Sequence, residues 1–206
     1  MYTPRAFAEA DLSQLDALVA ADPFVTLVTS DGDGAPFASH LPVLYRRDGG
    51  RVLVEGHWAK PNPQARHAGH ALVIVHGAHA YVSPAWYPDK EPNARVPTWN
   101  YAVAHLSGEL QRFNDEDALA DLVSRLSDRF EARVGESWRF EPGRGDHRRQ
   151  LRGIVGFRFV PERIELKFKL NQNHPVANRA AVADRLAGMD DPDARAIAAM
   201  MRERAS

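Results

Sequence analysis

Apolar positions along this chain change period several times, and the changes mark its elements. Leu12, Leu15, Leu18 and Val19 recur on one helical face, with Asp11 or Ser13 ahead of them as a cap and Pro23 behind them as a stop. This predicts a short opening helix. From Phe24 the pattern becomes a dense run of strand formers over 24–29, and Asp31-Gly32-Asp33-Gly34 is a hairpin signal returning a strand over 35–45. Asp48-Gly49-Gly50 turns the chain into 51–55, whose apolar run Val52-Leu53-Val54 stops at Gly56. A short polar helix ending at Gly69 follows. Strand character resumes over 71–75 and 78–83, with Gly77 breaking or bulging the run.

Prolines at 84, 88, 92 and 97 with charges between them predict a stiff surface loop. A long strand is expected over 99–113. Asn114-Asp115-Glu116-Asp117 then reads as a helix start, with acid at the positive end of the dipole. Leu119, Leu122, Val123, Leu126, Phe130 and Val134 continue it along one face. Residues 141–150 read as a charged loop, 154–159 and 163–170 as two strands about a turn at Pro161, and 175–206 as two short helices divided near Asp190-Asp191-Pro192. The links between strands are short hairpins, not long helical crossovers, so the sheet is antiparallel. A barrel is its natural closure, because it leaves no exposed edge. The fold class is mainly β (α+β): an antiparallel barrel with peripheral helices and a C-terminal helical pair.

Composition narrows the chemistry. The 206 residues suit one domain, or a domain with a helical appendage, and the expected boundary separates 1–173 from 174–206. There is no cysteine, which removes disulfides and thiolate metal sites. Lys and Arg number 26 against 27 Asp and Glu, so the basic excess usual in nucleic-acid binders is missing. No apolar run approaches the ~20 residues of a membrane span, and the first residues lack the apolar core of a secretory signal. The cytoplasm is the expected compartment.

Chemistry concentrates in GHWAKPNPQ, residues 56–64. Lys60 and Asn62 each precede a proline and are expected to be extended. Pro63 suits the first position of a helix, which makes Asn62 its N-cap. A helix start directs free N–H groups and partial positive charge at what lies before it. With His57 and Lys60 converging there, these are the parts of an anion site, phosphate being the commonest anion. The plainer account makes Asn62 a cap only, Lys60 a solvated side chain and His57 a half-buried strand residue. A second stretch, VPTWNYAVAH over 96–105, alternates Trp99, Tyr101 and Val103 with Thr98, Asn100 and Ala102. Aromatics with a polar handle can cover a flat heterocycle and bond to its rim.

These blocks, together with MYTPRAF, ASHLPVLY (38–45), GAHAYVSPAWY (77–87), GIVGF (153–157) and KFKLNQN (167–173), resemble the PaiB-like family. Its members are described as FMN-binding negative transcriptional regulators of the flavin split-barrel (pyridoxamine-phosphate-oxidase-like) superfamily. The resemblance covers nearly the whole chain. Ala78 and Ala85 stand where the family suggests proline and serine, and Asn171 where serine is usual. It implies a split barrel that forms a homodimer, with FMN at the dimer interface. Mapped here, it implies that Ser39, His40, His57, Lys60 and Asn62 hold the phosphate. Trp99, Asn100, Tyr101, Lys169 and Gln172 would meet the isoalloxazine ring on the second subunit.

Three functions compete. The first is an FMN-binding protein, either a flavin-dependent oxidoreductase or a flavin-linked regulator. No catalytic residue stands out; His79 and His105 are acids by type only. The second is a transcriptional regulator acting through DNA or protein. The five Arg after His174 are balanced by four Asp and Glu203, so the end helices look like packing elements, and the cluster at Arg144, His147, Arg148, Arg149 and Arg152 is the better basic patch. The third is a haem protein with a histidine ligand. No metal site is expected: His67/His70 and His76/His79 point to opposite faces of a strand and lack an acidic partner in sequence.

Overall fold

Most strands sit where the alternation placed them, but two breaks expected from glycine and proline do not occur. The computed structural model describes residues 1–31 and 33–204; Gly32, within the Asp31–Gly34 hairpin signal, lies outside the described residues. The elements are β1 (Ala8–Glu9), α1 (Ser13–Ala21), β2 (Phe24–Ser30), β3 (Pro36–Pro42), β4 (Leu44–Asp48), β5 (Arg51–Ala59), β6 (Gly69–Val82), β7 (Thr98–Phe113), α2 (Glu116–Val134), α3 (Gly145–Gln150), β8 (Ile154–Lys169), α4 (Val176–Ala187) and α5 (Pro192–Glu203). Short 3-10 turns fall at Arg5–Phe7, Pro63–Arg66, Pro84–Trp86 and Leu151–Gly153.

The strands form one antiparallel sheet in the order β3-β2-β6-β7-β8-β5-β4, with β1 paired to β8. Among the described residues the sheet is not closed, and β3 and β4 end the path. The expected strand over 35–45 is divided because Pro42 has no N–H to extend the ladder. Val43 N–H instead donates to Pro23 O (3.0 Å), and β4 restarts against β5.

Gly77 makes no break; β6 runs through it. A Cβ there would lie 2.6 Å from Leu18 Cδ2 and 3.0 Å from Ala102 O, so the glycine permits close packing. Pro161 makes no turn either. β8 pairs with β5 through 154–159 and with β1 at 166–167, so on that edge Pro161 falls between the two ladders, while on the other side Gly108 of β7 packs against it. The charged loop expected over 141–150 contains α3; Arg144 just before it donates to Asp146 (2.7 Å), and Arg148 within it donates to Glu116 (2.6 Å) and Asp117 (2.8 Å).

The chain divides into two compact units. One comprises Met1–Leu18, His76–Ala104 and the chain from Glu165 onward; the other comprises Val19–Val75 and His105–Ile164. The first is centred on Leu15, Tyr87, Leu170, Leu186 and Ile197, and the second on Leu27, Trp58, Leu106, Phe157 and Phe159, all 2% exposed or less. Helix ends follow their sequence signals. Asp115 Oδ1 accepts from Ala118 N–H to start α2, Gly135 at φ +78° ends it, and Asp191 Oδ1 accepts from Asp193 N–H to start α5. Among the described residues, no helix is long and apolar enough to cross a membrane.

Candidate functional site

β5 delivers the site. Val52, Val54 and Trp58 alternate into the core. Gly56 continues the strand between them because the Phe157 ring occupies the space of a Cβ, 2.7 Å away at Cζ. Trp58 is fully buried, and its Nε1–H donates to Gln64 Oε1 at 2.9 Å. Gln64 is itself fully buried and donates from Nε2 to Leu27 O (2.9 Å), Phe37 O (3.0 Å) and Thr29 Oγ1 (3.1 Å). One side chain therefore ties the turn after β5 to β2 and β3. Arg112 on β7 adds a hydrogen bond to Ala65 O (3.0 Å), and Lys60 N–H donates to Gly153 O (2.7 Å). Little in the sequence marks Gln64, since a glutamine after two prolines looks solvated; its one signal is proximity to a buried Trp that needs an acceptor.

The turn differs from the expected helix. It is a four-residue 3-10 turn, Pro63–Arg66, ending before His67. Asn62 is its N-cap, with Oδ1 accepting from Gln64 N–H (2.9 Å). That bond uses the one N–H the first turn could offer, since Pro63 has none, and so short a turn carries little dipole. Anion binding here therefore rests on side chains. Asn62 Nδ2 donates to Ser39 Oγ at 3.0 Å, which leaves the second amide hydrogen and the Ser39 hydroxyl proton to donate elsewhere. Lys60, two residues before, is exposed.

The two histidines stand apart from this pair. His57 faces away from Trp58 across the pleat, beside Glu55, which Arg125 (2.8 Å) and Arg158 (3.1 Å) neutralise. Its Nδ1 is buried without a partner, and burial holds its pKa below the ordinary value. His40 is exposed, points opposite to Ser39 on β3, bonds Thr26 Oγ1 through Nδ1 (3.0 Å) and stacks on Phe24. The structure thus joins Ser39 and Asn62, with Lys60 two residues before the latter, while His40 bonds Thr26 and His57 Nδ1 bonds neither of them.

The candidates for the ring end lie in the other unit. On β7, Trp99 is 52% exposed and meets Tyr81 edge-on, with ring centres 5.9 Å apart. Tyr101 is half-buried beneath Lys167, whose Nζ lies 5.2 Å from the ring centre. Asn100 is fully buried on the opposite face and donates to Met201 Sδ. Lys169 Nζ donates to Thr98 Oγ1 and to Trp99 O (2.6 Å). Gln172 uses both ends of its amide locally, accepting from Leu170 N–H (2.7 Å) and donating to Phe168 O. His79 pairs with Asp193 (3.2 Å), and His105 lies half-buried on β7. Carboxylates do accompany two of the paired histidines, drawn from elsewhere in the chain: Asp193 at His79, and Glu109 at His70 (2.9 Å). Among the described residues, no group of three or more His, Asp or Glu could hold a metal ion.

Comparisons with known proteins follow the same line. A family model described as "Putative FMN-binding domain" matches residues 1–163. The protein named protease synthase and sporulation protein PAI 2 of Bacillus subtilis (strain 168) is 30% identical, the match covering 99% of this chain and 98% of that protein. An uncharacterized protein of Saccharomyces cerevisiae is 29% identical over 66% of this chain and 94% of its own length. Among solved structures, an FAD and haem binding protein from Mycobacterium smegmatis superposes with a TM-score of 0.59 at 19% identity, covering 84% of this chain and 78% of that one. A flavocytochrome from Azotobacter vinelandii gives 0.55 at 16% identity, covering 95% and 78%. At these identities the two structures establish the fold, a split barrel.

Proposed function

The chain belongs to the PaiB-like family of FMN-binding split-barrel proteins, and from that premise we propose that it holds FMN by the phosphate at Ser39, Lys60 and Asn62. The observation that carries this reading is the Ser39–Asn62 hydrogen bond, which orients two uncommitted donors, with the exposed Lys60 two residues before Asn62 along the chain. A phosphate dianion needs several such donors, and charge-assisted bonds of this kind are the strong ones. Gln64 and Arg112 keep the turn rigid, so little ordering cost falls on binding.

The ring end is assigned to a second subunit. Trp99 and Tyr81 expose adjacent aromatic faces, and exposed apolar patches of this kind mark interaction surfaces. In the proposed homodimer, the phosphate lies on one protomer and the isoalloxazine against Trp99 and Tyr101 of its partner. Residues 1–173 form the flavin-binding part and 174–206 the appendage, working in the cytoplasm. FMN, when bound, supplies the redox chemistry; the chain binds and orients it. Direct reading of DNA is not part of this proposal, because Arg144 and Arg148 are spent on carboxylates.

The test is FMN binding by the double variant Lys60→Ala/Asn62→Ala. Loss of FMN binding with an unchanged circular dichroism spectrum is expected. Unchanged flavin occupancy would remove the phosphate assignment.

A further inference from the structure

A pocket of about 330 Å³ opens between the loop over 93–98 and the segment over 169–174, wholly within the first unit. Its lining includes Arg95, Lys169 and His174, the amides Asn171 and Asn173, and no carboxylate. Lys169 is held by two acceptors, Thr98 Oγ1 and Trp99 O, so its third N–H remains to donate. Arg95 is fixed by a two-point pair with Asp89 (Nε to Oδ1, 3.0 Å), and Asp89 is braced in turn by Asn178 (2.7 Å). His174 stacks flat on Tyr87, with ring centres 4.8 Å apart at 5°, and its Nδ1 is a buried atom with no hydrogen-bond partner. Asn171 Nδ2 donates to the buried Tyr87 hydroxyl (2.8 Å), which anchors the floor.

From this arrangement we propose that the pocket is a second binding site, for a small organic anion presenting a carboxylate or phosphate head to Lys169, Arg95 and His174. Each of the three groups is held by its neighbours, Lys169 by Thr98 and Trp99, Arg95 by Asp89 and His174 by the Tyr87 ring, which is how binding sites are preorganised. The charge is one-sided, since Asp89 sits behind Arg95 and is absent from the lining. Burial and the neighbouring Lys167 disfavour the charged form of Lys169, and burial, with Arg95 next, does the same for His174. An incoming anion would relieve both. The volume is at the small end of ligand pockets, which suits a small metabolite and not a dinucleotide. This site shares no residue with the flavin phosphate site at Ser39, Lys60 and Asn62.

The experiment follows the histidine ring resonances of the ¹⁵N-labelled full chain during titration with acetate and, separately, inorganic phosphate, with chloride at matched ionic strength as control. A saturable shift at His174 with either probe is expected, and the probe that produces it identifies the head group. Lys169→Met should weaken that binding about tenfold or more. Asn173→Asp, at an exposed position, should weaken it by repulsion without disturbing the fold, and Lys169→Arg should retain it. Equal shifts with chloride, unchanged affinity in both Lys169→Met and Asn173→Asp, or a His174 shift caused by FMN alone would overturn the proposal.

Discussion

Replacing Gln64 with methionine keeps the volume and removes both polar ends of the side chain. Trp58 Nε1–H, fully buried, would lose its acceptor, and an orphaned buried donor costs about 1–3 kcal/mol. The Gln64 amide has two hydrogens shared among Leu27 O, Phe37 O and Thr29 Oγ1, so two further bonds of about 0.5–1.5 kcal/mol each disappear. The sum is about 2–6 kcal/mol, which for a chain of this size lowers the melting temperature by on the order of 10 °C. Thermal and urea unfolding would measure it. Gln64→Glu should be no better than methionine: it keeps an acceptor for Trp58 but turns a carboxylate on three oxygen acceptors. FMN affinity should fall with stability, because Ser39 and Asn62 lie on the elements that Gln64 joins. A Gln64→Met protein within about 0.5 kcal/mol of the parent would refute the network as the site's anchor, since changes that small are typical of surface substitutions.

Two other outcomes follow from the site's surroundings. The folded-state pKa of His57 lies below its ordinary 6.5 because of burial, so below that pH the unfolded chain takes up the proton and the folded chain resists it. Stability should therefore fall as pH drops from about 7 toward the depressed value. His57→Leu should flatten part of that slope in urea unfolding series, with His174, also depressed by burial, supplying another part. Gly56→Ala should destabilise by about 1–3 kcal/mol through overpacking. The new Cβ would meet the Phe157 ring at 2.7 Å while Trp58, 4.7 Å from that ring by centroids, restrains its escape; an unchanged melting temperature would argue against this.

Periodicity made much of the fold legible. The faces of α1 and α2, the Asp caps of α2 and α5 and the early hairpins all follow from local residue order. What local order misled about was glycine and proline. Gly56 and Gly77 look like breaks, yet each accommodates a partner from a distant strand, and β8 runs through Pro161, which packs against Gly108 of β7. The chemistry was legible in the same uneven way. Asn62 as cap, and its nearness to Ser39, were within reach. The faces taken by His40 and His57, and the consumption of the turn's free N–H by Asn62 itself, depend on register and turn length. Gln64 depends on three strands meeting, which no spacing along one segment reports.

The claim that Ser39, Lys60 and Asn62 hold a flavin phosphate is tested most directly by comparing the affinities of FMN and riboflavin for the full chain. The two ligands share the ring and differ only in the phosphate. If the site is as described, FMN stays bound through desalting and binds at least about tenfold more tightly than riboflavin, as one hydrogen bond to a charged group already requires. Equal affinities, or a protein that retains neither, would contradict the account.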